Sequence, residues 1–179
     1  MGEFDLIRRY FVRPATGGRS DVVLGIGDDC ALLSAPPAGR VLAISTDMLI
    51  EGRHFFAGTD PASIGHKALA VNLSDLAAMG ATPVGFTLAI ALPSVDASWL
   101  EGFTAGLFAL ADRASCPLIG GDTTRGPLAI SITVFGHVPA ADALRRDRAR
   151  AGDRIWVSGP LGGAALAVAQ RRAGQAADI

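Results

Sequence analysis

Five aspartates stand where apolar segments meet glycines or hydroxyl residues: Asp28 and Asp29 in GIGDD, Asp47 in STD, Asp75 inside ALAVNLSDLAAMG, and Asp122 in GGD. An isolated aspartate is usually solvated, and Gly-Asp pairs make turns on their own account. Recurrence in this company points further. Carboxylates suit Mg²⁺, which takes oxygen ligands, and flanking glycines let a phosphate approach the backbone. Metal and phosphate together suggest phosphoryl transfer, which needs mainly positioning and charge neutralisation. The chain has no P-loop, HExxH, GxSxG or zinc-type Cys/His spacing, so nucleophilic and zinc mechanisms have no support.

The elements that must hold these residues are legible in outline. Asp60 followed by Pro61 is a helix start, and Gly80 stops the helix it launches. Leu69, Leu73, Leu76 and Met79 recur at helical spacing as a core-facing stripe, with Asn72 and Asp75 as a polar island beside it. Upstream, Glu3 to Tyr10 reads as an amphipathic helix, Arg13 to Ser20 as a loop, and Asp21 to Ile26 as a strand running into Gly27-Asp28-Asp29. Val41 to Thr46 reads as a strand with Asp47 at its exit. Met48 to Gly58 reads as a loop, in which His54, between Arg53 and Phe55, is a packing residue on local pattern alone.

Val84 to Leu92 is a further strand ended by Pro93, and Asp96 caps a helix, Ala97 to Ala114, whose stripe is Leu100, Phe103, Leu107, Leu110 and Ala111. Pro117 to Ile119 leads as a strand into GGDTTRG, and Leu128 to Val138 is the last long strand. The alternation predicts an α/β or α+β layer structure with helices on one face of a sheet, and such a sheet needs cover on its other face, which suggests a dimer. Residues 1–138 form the expected main domain and 139–153 an Arg-dense linker. Residues 154–179 read as the start of a second, truncated domain, with a strand at Arg154 to Ser158, a GPLGG turn and a helix from Ala164 to Arg172.

Composition narrows the classes. Half of the 179 residues are hydrophobic, 18% are charged and the net charge is −1, so the chain should fold and offers no electrostatic footprint for nucleic acid or anionic membrane. Leu76 to Val95 is uncharged, but Gly80, Pro83, Gly85 and Pro93 divide it into helix end, turn and strand. Cys30 and Cys116 lack CxxC spacing and no signal-peptide pattern is present, which reads as reduced thiols in a cytoplasmic protein. Lys67 is the sole lysine.

Taken together, GEFDLI, LGIGDDCA, AISTDMLIEGRHF, HKALAVNLSDLAAMGA and LIGGDTTRGPL resemble, in order and spacing, the thiamine-monophosphate kinase family, from Gly2 to about Ala165. That family belongs to the group built like aminoimidazole ribonucleotide synthetase, whose members bind ATP without a P-loop and dimerise through their N-terminal sheets. The resemblance implies transfer of the γ-phosphoryl group of ATP onto thiamine monophosphate, giving thiamine diphosphate and ADP. It implies Asp29, Ser45, Thr46, Asp47, Asp75 and Asp122 as Mg²⁺ ligands, Gly121, Asp122 and Arg146 as ATP contacts, and His54 as a substrate contact. It leaves Asp28 a neighbour and gives Lys67 no ligand role.

Two departures are visible. Arg146 opens RDRARAGD where the family runs close to RSGAKPGD, and the position of an aromatic near the adenine falls at about Gly106. The alternatives are another ATP-using member of the group, such as selenophosphate synthetase, for which a reactive cysteine in a glycine-rich N-terminal segment is missing, and a non-catalytic dimerisation or metabolite-binding module.

Overall fold

The computed structural model describes residues 2–13, 20–157 and 159–175. The chain divides into two compact units, Met1–Arg145 and Arg146–Ile179. In chain order the first unit contains α1 (Glu3–Tyr10), β1 (Val22–Leu24), β2 (Leu32–Leu33), β3 (Arg40–Ile50), α2 (Pro61–Ala78), β4 (Thr82–Leu92), α3 (Ala97–Arg113), β5 (Leu118–Arg125) and β6 (Ala129–Pro139). β1 and β2 pair with each other, and the other four strands form one sheet in the order β3-β6-β4-β5. β4 and β5 are parallel, joined through α3, because a parallel pair needs a crossover connection; β3/β6 and β4/β6 are antiparallel.

Strand alternation decides which residues meet the helices. Phe86, Leu88 and Ile90 of β4 lie opposite Val134, Ile132 and Ile130 of β6, and all six are buried. They share the core with Ile64, Leu69 and Leu76 of α2 and with Leu100, Phe103 and Leu107 of α3. The two helices cross closely: a Cβ on Gly65 would stand 2.0 Å from the Phe103 carbonyl oxygen, and one on Gly106 1.9 Å from that of Ala62. Their N-termini are fixed by the expected caps. Asp60 accepts from the Ser63 amide at 2.8 Å, and Asp96 from the amides of Ser98 and Trp99 at 2.9 and 3.1 Å.

α1 is set beside α3, with Leu6, Tyr10 and Phe11 buried and the Arg13 guanidinium reaching both oxygens of Asp112 at 2.9 and 3.1 Å. That pair is exposed and stabilises little; it orients the helix.

Several sequence expectations are corrected. β3 does not end at Thr46: it continues through Asp47 and Met48 to Ile50, because all eleven of its residues pair with β6. Asp47 is therefore inside the strand, and the following loop starts at Glu51. β5 likewise runs through GGDTTR rather than stopping at Ile119, held by parallel pairing to β4. The first strand is shorter than Asp21 to Ile26, and its partner β2 carries too few residues to show a period. Met79, expected on the core stripe, caps α2 and is 37% exposed. Residues 14–19 of the expected Arg13 to Ser20 loop lie outside the described residues.

The second unit contains a 3₁₀ turn, Arg146–Arg148, and α4 (Gly163–Arg172). Residues 154–157 form no strand, Ser158 lies outside the described residues, and Ile155 and Trp156 are exposed. Among the described residues no helix is long and apolar enough to cross a membrane.

Candidate functional site

The alternation of β3 sorts the oxygen donors. Ser45 and Asp47 lie opposite Val134 and Ile132, on the face covered by the helices; Thr46 lies opposite Thr133 on the open face. Under α2, Ser45 Oγ donates to Asp75 Oδ2 at 2.5 Å, a short charge-assisted bond. Asp75 reaches β3 from the interior of α2, the island position the helical spacing had marked. Asn72, one turn earlier and buried, accepts from the Asp47 amide at 3.1 Å. On the open face the hydroxyls of Thr46 and Thr133 are 2.9 Å apart.

At the other edge of the sheet, a cleft of about 810 Å³ is bounded by β5, the loop between β1 and β2, and α1. Asp28, Asp29 and Asp122 line it together with Gly27, Gly120 and Gly121. Asp28 Oδ1 accepts from the Asp29 amide at 2.8 Å, which commits Asp28 to its own turn. Neither Asp29 nor Asp122 has a side-chain hydrogen bond among the described residues.

Gly121 has φ +149°, and a Cβ there would lie 1.8 Å from the Leu88 carbonyl oxygen, so this wall is bare backbone by necessity. Phe4 and Ile7 of α1, with Phe11 just after it, supply an apolar wall; sequence reading placed Phe4 and Ile7 in a helix without assigning them to a site, and the phase of that amphipathic helix was the available signal.

His54, in the loop after β3, is exposed. Its Nδ1 accepts from the Ile50 amide at 3.0 Å, and its backbone carbonyl accepts from Lys67 Nζ. An imidazole whose Nδ1 accepts carries its proton on Nε2, so His54 offers an N–H donor outward. Arg146 belongs to the second unit and is exposed there.

The donors thus fall into two groups, Ser45, Asp47 and Asp75 at the β3 edge and Asp29 and Asp122 at the β5 edge. Three strand spacings separate those edges, roughly 14 Å. Among the described residues no three Asp, Glu, His or Cys side chains converge as a metal site. The donor chemistry fits Mg²⁺ nevertheless, being all oxygen, with carboxylates in both groups and those of Asp29 and Asp122 uncommitted. At Gly106, packing against Ala62 leaves no room for any side chain, so an aromatic contact to a base is excluded at that position.

A mixed four-stranded sheet with helices on one face and a glycine- and aspartate-lined cleft at one edge defines the class of domain. The family model for AIR synthase related protein, N-terminal domain, matches residues 27–138, and the chain belongs to that family. It is 56% identical over 173 residues to thiamine-monophosphate kinase of Salmonella typhimurium, covering 96% of this chain and 53% of that protein.

The fold superposes on thiamine-monophosphate kinase from Stenotrophomonas maltophilia K279a with TM-score 0.81 at 55% identity, over 87% of this chain and 49% of that one. It also superposes on AaThiL complexed with AMPPCP and TMP, with TM-score 0.72 at 29% identity, over 80% of this chain and 46% of that one. The chain spans about half the length of the curated relatives it matches.

Proposed function

We propose that this chain supplies the nucleotide- and metal-binding part of an ATP-dependent kinase that converts thiamine monophosphate to thiamine diphosphate. The observation that carries the reading is the cleft at the β5 edge, where Asp29 and Asp122 face a wall of bare glycine backbone. The AaThiL complex, whose fold is shared, holds an ATP analogue together with TMP, and this supports the choice of both substrates.

In this reading the Gly121 backbone and Asp122 hold the triphosphate, and Arg146 is the ATP contact that the family resemblance implies. His54 offers its Nε2 proton to the substrate. Asp29, Ser45, Thr46, Asp47, Asp75 and Asp122 are the Mg²⁺ ligands. Mg²⁺ bound by them would offset the repulsion between two anionic phosphates. No side chain forms a covalent intermediate: the phosphate of thiamine monophosphate attacks the γ-phosphorus of ATP, and ADP leaves.

The open sheet face is the proposed homodimer surface, because Leu42, Ile44, Met48 and Ile50 of β3 are 42–58% exposed there. The cytoplasm is the proposed compartment, supported by two cysteines, Cys30 and Cys116, that lack disulfide-framework or CxxC spacing.

The test joins this chain to the remainder of the Salmonella kinase and measures thiamine diphosphate formed from thiamine monophosphate and ATP. Mg²⁺-dependent turnover that falls at least about tenfold in Asp122→Asn is expected. A folded chimera that hydrolyses or transfers nothing in Mg²⁺ overturns the reading and leaves the non-catalytic module.

A further inference from the structure

Three polar side chains of α2 reach back to the segment that precedes it, and each lands on a candidate site residue. Asp75 holds Ser45, Asn72 holds the Asp47 amide, and Lys67 holds the His54 carbonyl. The order is monotonic, 75, 72 and 67 on the helix against 45, 47 and 54 on the strand and loop. Asp75 is one of the proposed ligands; Asn72 and Lys67 have had no role.

Asn72 is 1% exposed and both ends of its amide are used, Oδ1 on the Asp47 N–H and Nδ2 on the Ala68 carbonyl at 2.9 Å. Asn72 thus brings a buried acceptor from α2 to the amide of Asp47, a residue paired with Ile132 of β6, beside the position that must aim a carboxylate. Lys67 acts one step further along. It fixes the carbonyl of His54 while the Ile50 amide fixes the imidazole, so backbone and ring of one residue are held from two elements.

We propose that Asn72 and Lys67 are positioning residues of the site. Asn72 sets the metal-ligand stretch within β3 and Lys67 sets the loop that presents His54, so that α2 fixes the spacing between metal and acceptor substrate. This rests on the kinase reading for its purpose, but not for its geometry, and the experiment separates the two.

Amide hydrogen exchange at Asp47, the ¹⁵N resonances of the His54 ring and Mg²⁺ affinity are read in this chain as it stands, then in Asn72→Leu, Lys67→Met and Lys67→Arg. In the unmodified chain the Asp47 amide is expected to exchange as slowly as amides bonded to β6. Asn72→Leu should speed that exchange and weaken Mg²⁺ binding by about tenfold while leaving the His54 ring signals in place. Lys67→Met should leave Asp47 and Mg²⁺ affinity unchanged and move the ring signals from the Nε2-protonated form toward a tautomer average, with Lys67→Arg restoring them.

In the chimeric kinase, Lys67→Met should raise KM for thiamine monophosphate several-fold with KM for ATP unchanged. Free exchange of Asp47 in the unmodified chain overturns the Asn72 assignment whether or not Asn72→Leu folds. Unaltered His54 signals in Lys67→Met overturn the Lys67 assignment. Responses of Asp47 and His54 as described, in a chimera that makes no thiamine diphosphate, would refute the kinase reading and keep the positioning.

Discussion

On β6, Ile130, Ile132 and Val134 are at most 1% exposed, whereas on β3 the side chains of Ile44 and Met48, on the other face of the same sheet, are 58% and 54% exposed. One face is closed by the chain's own helices, and on the other the apolar side chains of β3 are exposed among the described residues. The candidate ligands divide along the same line: the Ser45 hydroxyl and the Asp47 backbone amide are held from α2 by Asp75 and Asn72, while Thr46 and Asp122 stand on the open side. The helix face is finished and fixes geometry. The open face is where a second copy is proposed to dock.

Substitutions on the two faces should separate sharply. Phe103→Ala, at a fully buried helix position, is expected to lower unfolding free energy in urea by about 4 kcal/mol. Ile44→Ser should change it by under about 0.5 kcal/mol when measured on monomer, yet shift sedimentation from dimer to monomer. Equal costs would mean that the open face is already packed within one chain.

A smaller contrast lies inside the cleft. Gly121→Ala drives a Cβ into the Leu88 carbonyl and is expected to cost about 2 kcal/mol and to abolish binding of an ATP analogue. Gly27, with φ +129° but open space around its missing Cβ, should cost about 1 kcal/mol when changed to Ala, through backbone strain alone.

The smallest expected effect concerns helix ends and pH. The Trp99 amide, then the Ser98 hydroxyl, hold the Asp96 carboxyl below its ordinary 3.8. A carboxylate depressed in the folded state contributes stability above its unfolded pKa and loses it as pH falls through the folded value. Asp96→Asn should therefore leave the melting temperature nearly unchanged at pH 7 and reduce its fall below pH 3.8. A parallel fall in both proteins would show that acid lability resides elsewhere.

Much of this was readable from residues alone. Asp60-Pro61 and Asp96 announced two helices because caps act locally, and the period of Leu100, Phe103 and Leu107 gave the buried stripe. The ends of β3 and β5 were not readable: Asp47 and the glycines of GGDTTR look like strand stops, and only pairing with β6 and β4 carries the strands past them. Asp75 was legible as a polar residue beside an apolar stripe, but its bond to Ser45 was not, since contact across thirty residues depends on tertiary packing. The apolar wall of the cleft escaped for the same reason, as α1 reaches it from another part of the chain.

Titration of this chain with Mg²⁺ and AMPPCP by calorimetry, beside Asp75→Asn and Asp122→Asn, tests the central claim most directly. The account predicts Mg²⁺-dependent binding that weakens at least about tenfold in each variant, because each removes a donor from a different edge of the sheet. Unchanged binding in both variants, with the fold intact, would contradict it.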